Sequence, residues 1–287
     1  MYGLTTKHFG VKTFLERQEN HMSDFIAAMD HSGGSTGGVL ERYGQKYKES
    51  NKMELVHEMR LRMVKSPDFT SKNIWAAILY KDTVERGMVP VLKAKGIEAY
   101  LKIDSGCEDN GYLKYFRWNE MTDFAKEHGC TGTKMRSIVK SDKDLSMILD
   151  QQFALAEGIY GEGLMPIVEP EIPIEHPDKE LYEYKLRDEL AERLDAFRGR
   201  CILKLTLPEQ DDFYSGIIPH DRVERVVGLS GGYSTEEACR RLRRQRGMTA
   251  SFSRGLSEGL FASQTDEEFN EHITKNIHMI REAGNGI

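Results

Sequence analysis

Along the chain, short apolar runs recur between longer polar stretches rich in helix-forming residues. The runs are Phe25–Asp30 (FIAAMD), Ile74–Tyr80 (IWAAILY), Ala99–Asp104 (AYLKID), Thr131–Val139 (TGTKMRSIV), Leu164–Ile172 (LMPIVEPEI), Cys201–Leu207 (CILKLTL), Val223–Ser230 (VERVVGLS) and Met248–Arg254 (MTASFSR). Their length and content are those of strands. Most intervals hold a helix: Lys52–Lys65 places Met53, Val56, Met59 and Met63 at helical spacing, and Asp144–Tyr160 and Glu180–Phe197 are long enough to cross a sheet. Eight strands alternating with helices predict an α/β fold in which a parallel sheet closes into a (β/α)8 TIM barrel. No Pro/Gly/Ser-rich linker, low-complexity tract or short repeat interrupts the pattern, so 1–287 is expected to form a single domain. Within it, 1–22 is expected to cap the barrel bottom, and 266–287 to form a last amphipathic helix with a frayed tail.

Strands covered by helices outside and filled by side chains inside should be nearly apolar, so each polar residue within one demands a reason. In Cys201–Leu207, alternation puts Ile202, Lys204 and Thr206 on one face and Leu203, Leu205 and Leu207 on the other. If the leucines meet the helices, Lys204 points into the barrel, where burial disfavours the ammonium form and leaves an amine able to attack a ketone. A lysine snorkelling from a strand end or paired with a carboxylate would have the same sequence. Glu169 and Glu171 share one face of the fifth run, and crowding there would keep one acid partly protonated, as proton shuttling requires. Lys134 and Arg136 repeat that spacing with positive charge, either beside a reacting lysine and a substrate anion or as structural partners of the two glutamates. Lys102 and Asp104 form a weaker version, and Asp30 ends the first run before a turn.

Two glycine-rich turns follow strands, His31–Gly38 and Ser230–Glu237. In the second, Ser234 and Glu237 have capping-box spacing, which leaves Ser230, Gly231 and Gly232 as a cradle of backbone N–H groups beside a helix N-terminus. Barrel enzymes often bind phosphate at the loops after strands seven and eight, and Arg254 closes the eighth run. Together these positions suggest a phosphorylated keto compound held by its phosphate, captured as an iminium on Lys204 and cleaved with the iminium as electron sink.

Composition narrows the partners. Forty Lys and Arg against 46 Asp and Glu give a formal net charge of -6, which argues against coating nucleic acid or anionic lipid. The run Arg240–Arg246 is therefore expected to be the solvated face of the helix after the seventh strand, with Leu242 turned inward. Cys107, Cys130, Cys201 and Cys239 are scattered without a C-x-x-C pair, so a reducing, cytoplasmic compartment is expected. The first 20 residues lack an apolar signal core, and no membrane span is evident. The nine histidines, His31, His57, His176 and His220 among them, show no ligand-type spacing at strand ends and are expected to be isolated surface residues, so no metal site is expected.

The stretches FIAAMDHSGGST, GTKMRS, LMPIVEPEI, ILKLTLP, VVGLSGGYSTEEA and ASFSRGL resemble, in order, those of class I fructose-bisphosphate aldolases, most closely the bacterial members. The resemblance implies a homo-oligomeric, cofactor-free enzyme that reversibly splits fructose 1,6-bisphosphate into dihydroxyacetone phosphate and glyceraldehyde 3-phosphate. It implies Lys204 as the Schiff-base lysine, Glu169 as its acid/base, Asp30 as the group serving the hydroxyl at the cleaved bond, Lys134 between them and Glu171 as support. Ser230, Gly231, Gly232 and Arg254 would hold the dihydroxyacetone phosphate and Ser35 and Arg42 the far phosphate, with Arg136 and Lys102 as further candidates for binding substrate or phosphate. Where the family usually carries a lysine after the third strand's aspartate, this chain has Ser105, followed by Glu108 and Asp109. Gly38 stands where animal members have serine, and the sequence ends GNGI without their terminal tyrosine. Both changes at the far end leave open a related ketose, such as tagatose bisphosphate or a monophosphorylated sugar. A metal-dependent aldolase and a non-catalytic phosphosugar-binding barrel are the other readings.

Overall fold

The computed structural model describes residues 25–32 and 34–284, with the side chains of Ser35 and Asp142 outside that description. The expected cap over 1–22 and the tail 285–287 therefore lie outside the described residues. Eight strands form one sheet in sequence order: β1 (Ile26–Met29), β2 (Ala76–Leu79), β3 (Glu98–Lys102), β4 (Gly132–Ile138), β5 (Met165–Glu171), β6 (Cys201–Thr206), β7 (Val223–Leu229) and β8 (Met248–Ala250). Every neighbouring pair is parallel. Beyond β8, the Phe252 carbonyl accepts a hydrogen bond from the Ala28 N–H at 3.2 Å, which draws the last strand's continuation against the first. The result is the expected α/β barrel.

Helices α1 (Gly34–Arg42) and α2 (Lys52–Lys65) connect β1 to β2, and α3 (Lys81–Glu85) and α4 (Met88–Ala94) connect β2 to β3. Single long helices follow as α5 (Trp118–Glu127), α6 (Asp142–Gly161) and α7 (Lys179–Ala196). The chain ends with α8 (Thr235–Leu242), α9 (Arg254–Ser257) and α10 (Asp266–Gly284). Ser234 caps α8, its Oγ accepting from the Glu237 N–H at 3.2 Å, while the Glu237 carboxylate accepts from Arg240 and Arg241. Leu242 is fully buried on that helix, while Arg240, Arg241, Arg244 and Arg246 pair with Glu237, Glu209, Asp211 and Asp212. Among the described residues, no helix is long and apolar enough to cross a membrane.

Alternation along the strands sorts the core into two parts. Ala27, Met29, Met135, Val168, Leu203, Leu205 and Val226 face outward into one large cluster shared with the helices. Ile26, Ala28, Ala76, Ile78, Tyr100, Met165, Ile167, Ile202 and Val227 fill the lower barrel interior. Gly132 admits Tyr100 to that interior, since a Cβ there would stand 2.4 Å from the tyrosine ring and 2.1 Å from the Met165 carbonyl. The leucine face of β6 thus meets the helices, and Lys204 points inward as expected.

Candidate active site

One or two inward positions beyond the apolar interior, the same strands carry charge. Asp30 follows β1, Lys134 lies within β4, Glu169 within β5 and Lys204 within β6, and all are buried. Lys134 Nζ stands 2.5 Å from Asp30 Oδ2 and 3.1 Å from Glu169 Oε2. The other Glu169 oxygen, Oε1, stands 3.1 Å from Lys204 Nζ. Acidic and basic side chains alternate along the row Asp30, Lys134, Glu169, Lys204, so that each buried group meets one of the opposite kind.

Burial works against charge on Asp30, but Lys134 and then Lys204 outweigh it and hold the carboxyl well below the usual carboxylate range. Burial likewise opposes the Lys134 ammonium, and Asp30, Glu169 and Asp104 reverse that effect, so its pKa stands above the ordinary lysine value. Lys134 is therefore a fixed cation at neutral pH.

Register explains why the two glutamates do not crowd each other. Arg136 is the β4 partner of Glu169 in register, and its side chain reaches along the mouth to form a hydrogen-bonded ion pair with Glu171. Glu169 is left to the lysines deeper in the barrel. The amide of Gln152 from α6 clamps the Glu169 backbone, accepting from its N–H at 3.0 Å and donating to its carbonyl at 3.2 Å. Thr206 Oγ1 does the same for Ile172, at 3.0 Å from its N–H and 2.7 Å from its carbonyl, and so pins the end of β5 to β6.

At one side of the mouth, the turn after β7 brings Ser230, Gly231 and Gly232 to the cleft, just ahead of α8. Gly231 and Gly232 have φ of 59° and 127°, in the region that favours glycine, and a Cβ at Gly231 would stand 2.7 Å from Ile174. The Arg254 guanidinium lies over this turn, 3.8 Å from where a Gly232 Cβ would be. Arg254 does not close a strand, because β8 ends at Ala250 and the chain turns so that Arg254 begins α9. Ser253 Oγ lies 3.1 Å from His31 Nε2. His31 was expected at the surface, yet it lines the cleft. Burial lowers its pKa to about 4 against the pull of Asp30, with Arg60, Arg42 and Lys134 adding to the effect, so the imidazole is neutral at pH 7.

Asp30, Lys102, Lys134, Arg136, Glu169, Glu171, Lys204, Ser230, Gly231, Gly232, Arg254 and Arg42 all line one open cleft of about 1230 Å³. Ser35 lies in α1, but its side chain is outside the described residues. Lys102 is held at the rim by Asp104, its Nζ donating to the aspartate carbonyl at 2.7 Å and to Oδ1 at 2.8 Å. Ser105, Glu108 and Asp109 form part of the opposite wall, with Lys140 donating to the Asp109 carbonyl at 2.9 Å. The Arg42 guanidinium would stand 3.4 Å from a Cβ at Gly38, so the glycine leaves room for it to fold toward the cleft. Sequence reasoning missed His31, Ser253, Gln152 and Thr206 as members of the site. His31 and Ser253 lay in stretches already singled out, whereas Gln152 sits in an ordinary helix and carries no sequence signal.

Among the described residues, no group of three or more His, Cys, Asp or Glu is disposed to hold a metal ion. No protein-family model matches the chain. Fructose-bisphosphate aldolase class 1 of Clostridium acetobutylicum is 43% identical over 290 residues, covering 93% of this chain and 98% of its own. The protein of the same name from Synechocystis is 43% identical over 288 residues, covering 94% of this chain and 96% of its own. Among solved structures, fructose-bisphosphate aldolase from Plasmodium falciparum, in complex with TRAP and a small-molecule inhibitor, superposes with a TM-score of 0.74. It shares 18% identity, covers 96% of this chain and 97% of its own, and bears on the fold alone.

Proposed function

The chain belongs to the class 1 fructose-bisphosphate aldolases, and from that premise we propose how its mouth cleaves fructose 1,6-bisphosphate into dihydroxyacetone phosphate and glyceraldehyde 3-phosphate. The observation that carries the reading is the buried row Asp30, Lys134, Glu169, Lys204 beside a glycine cradle. The Lys204 amine adds to the C2 carbonyl. Glu169, 3.1 Å from Nζ, moves the protons that turn the carbinolamine into an iminium with loss of water. Asp30, kept ionised by its cations, takes the proton of the C4 hydroxyl. The C3–C4 bond then breaks, its electron pair entering the iminium to leave an enamine on Lys204 while the aldehyde departs. Protonation at C3 and hydrolysis return the free lysine.

In this assignment Ser230, Gly231, Gly232 and Arg254 grip the phosphate next to C1, a reading supported by the guanidinium that lies beside the glycine turn at the cleft. Arg42, Ser35, Lys102 and Arg136 serve the far phosphate, with Glu171 orienting Arg136. The lysine imine is the electron sink, so EDTA should leave activity unchanged. A cytoplasmic site of action and a homo-oligomeric assembly complete the proposal, the latter checked by light scattering.

Steady-state kinetics with fructose 1,6-bisphosphate and fructose 1-phosphate test the substrate. The bisphosphate should be cleaved at least ~10-fold more efficiently, the worth of one hydrogen bond to a charged group. Equal efficiency would mean that no second phosphate site operates. R254M should raise KM for both substrates by about 10-fold while leaving kcat nearly unchanged.

A further inference from the structure

Arg60, on α2, is the largest fully buried side chain among the described residues, only 1% exposed. Among the described residues, no carboxylate lies within ion-pair distance of it. Asp82 is taken by Arg86 at 2.8 Å and Asp30 by Lys134. Burial lowers the guanidinium to about 10, against the pull of Asp30 and Asp82, so it is still a cation at neutral pH. A buried charge without a counter-ion is costly, and a core position on a helix could hold a leucine instead.

The two groups Arg60 does reach show its use. One nitrogen donates to Thr83 Oγ1 at 2.5 Å, and the other donates to the His31 carbonyl at 2.7 Å. His31 directly follows Asp30, and the pairing of β1 with β2 ends one residue earlier, at Met29 with Leu79. The chain at Asp30 and His31 therefore leaves the sheet without a strand ladder to hold it. Lys134 holds the Asp30 side chain from the barrel interior, and Arg60 holds the peptide behind it from the helix layer.

We propose that Arg60 is a positioning residue for carbon–carbon cleavage, which aims the Asp30 carboxylate by fixing the His31 carbonyl. This rests on Asp30 acting as the base of the proposed reaction. A displacement of about 1 Å in a catalytic group costs on the order of 100-fold in rate. Arg60 touches neither substrate nor reacting atoms, so its loss should appear in kcat for cleavage and leave KM and imine formation intact.

The test compares R60K, R60M and T83V with the parent enzyme. R60K keeps a charge but loses the planar two-pronged contact, whereas T83V removes the other anchor and leaves the bond to His31 in place. After circular dichroism confirms folding, kcat for fructose 1,6-bisphosphate cleavage should fall about 10- to 100-fold in R60K and R60M. Their KM should stay within about threefold, and borohydride with dihydroxyacetone phosphate should still label Lys204. T83V should keep kcat within about threefold of the parent. Should R60M fail to fold, R60K carries the comparison. The assignment is overturned by an R60K enzyme as fast as the parent, by a T83V loss equal to that of R60K, or by cleavage and labelling falling together. Absence of labelling in the parent would instead reject the imine reading of Lys204.

Discussion

The barrel interior has two storeys built from the same strands. Below, Ile26, Ile78, Tyr100, Ile167, Ile202 and Val227 touch one another. Above, roughly 7 Å further along the strands, Asp30, Lys134, Glu169 and Lys204 touch one another. Both are largely buried, the upper one at the floor of the open cleft, yet they contribute oppositely. Each aliphatic side chain buried below stabilises the fold by roughly 1.5–3 kcal/mol. Each ion buried above costs several kcal/mol, about as much as its partners return. The lower storey holds the protein together, and the upper storey uses that rigidity to keep charges in a costly arrangement suited to chemistry.

The comparison breaks most visibly at Glu169, which faces both lysines. E169A would remove the carboxylate that two buried lysines share, so a loss of about 3–5 kcal/mol in unfolding free energy is expected. Cleavage by the folded fraction should fall about 10²- to 10⁴-fold. Denaturant titration together with kcat measures both, and an E169A enzyme of parental stability would show that the upper storey is not electrostatically strained. The matching change below is I167A, two residues earlier on β5. Its expected cost is about 2–5 kcal/mol, with kcat per folded molecule within about threefold of the parent. A large loss of kcat there would deny the division of labour.

A smaller and more diagnostic effect is the pH dependence of stability. The Asp30 carboxyl is held below its usual range. It therefore contributes stability that is complete above its unfolded value of about 3.9 and is lost as pH falls through the folded pKa. Lys134 is shifted upward and contributes the opposite limb, complete below about 10.4 and lost as pH rises beyond it. D30N should lower Tm by roughly 3–6 °C at pH 7, and the gap to the parent should close progressively below about pH 4. A gap that is constant from pH 7 to pH 2 would count against the Asp30–Lys134 pair as its source.

Much of this was legible from alternation alone. Leu203, Leu205 and Leu207 had to face helices, so Lys204 had to face the barrel, and the same parity brought Lys134, Glu169 and Asp30 into one interior. Ser234 and Glu237 marked the start of α8 within a residue. What alternation cannot convey is register and tertiary reach. Pairing Glu169 with lysines and Glu171 with Arg136 depends on how far β4 is displaced along β5, which is set by packing over the whole barrel. The contact of His31 with Ser253 joins positions 222 residues apart in sequence, and Arg60 reaches His31 from a helix whose apolar pattern gives no hint of it. The β8 run was overextended because Phe252, apolar and fully buried, continues the hydrophobic pattern beyond the last paired residue, Ala250.

The account depends most on Lys204 as the nucleophile. Borohydride reduction of the full-length enzyme with dihydroxyacetone phosphate, followed by peptide mass mapping, measures this directly. A single reduced adduct on the peptide carrying Lys204, absent from K204M, is the predicted result. An adduct on Lys134 or Lys102, or none on a protein that cleaves the sugar, would contradict it.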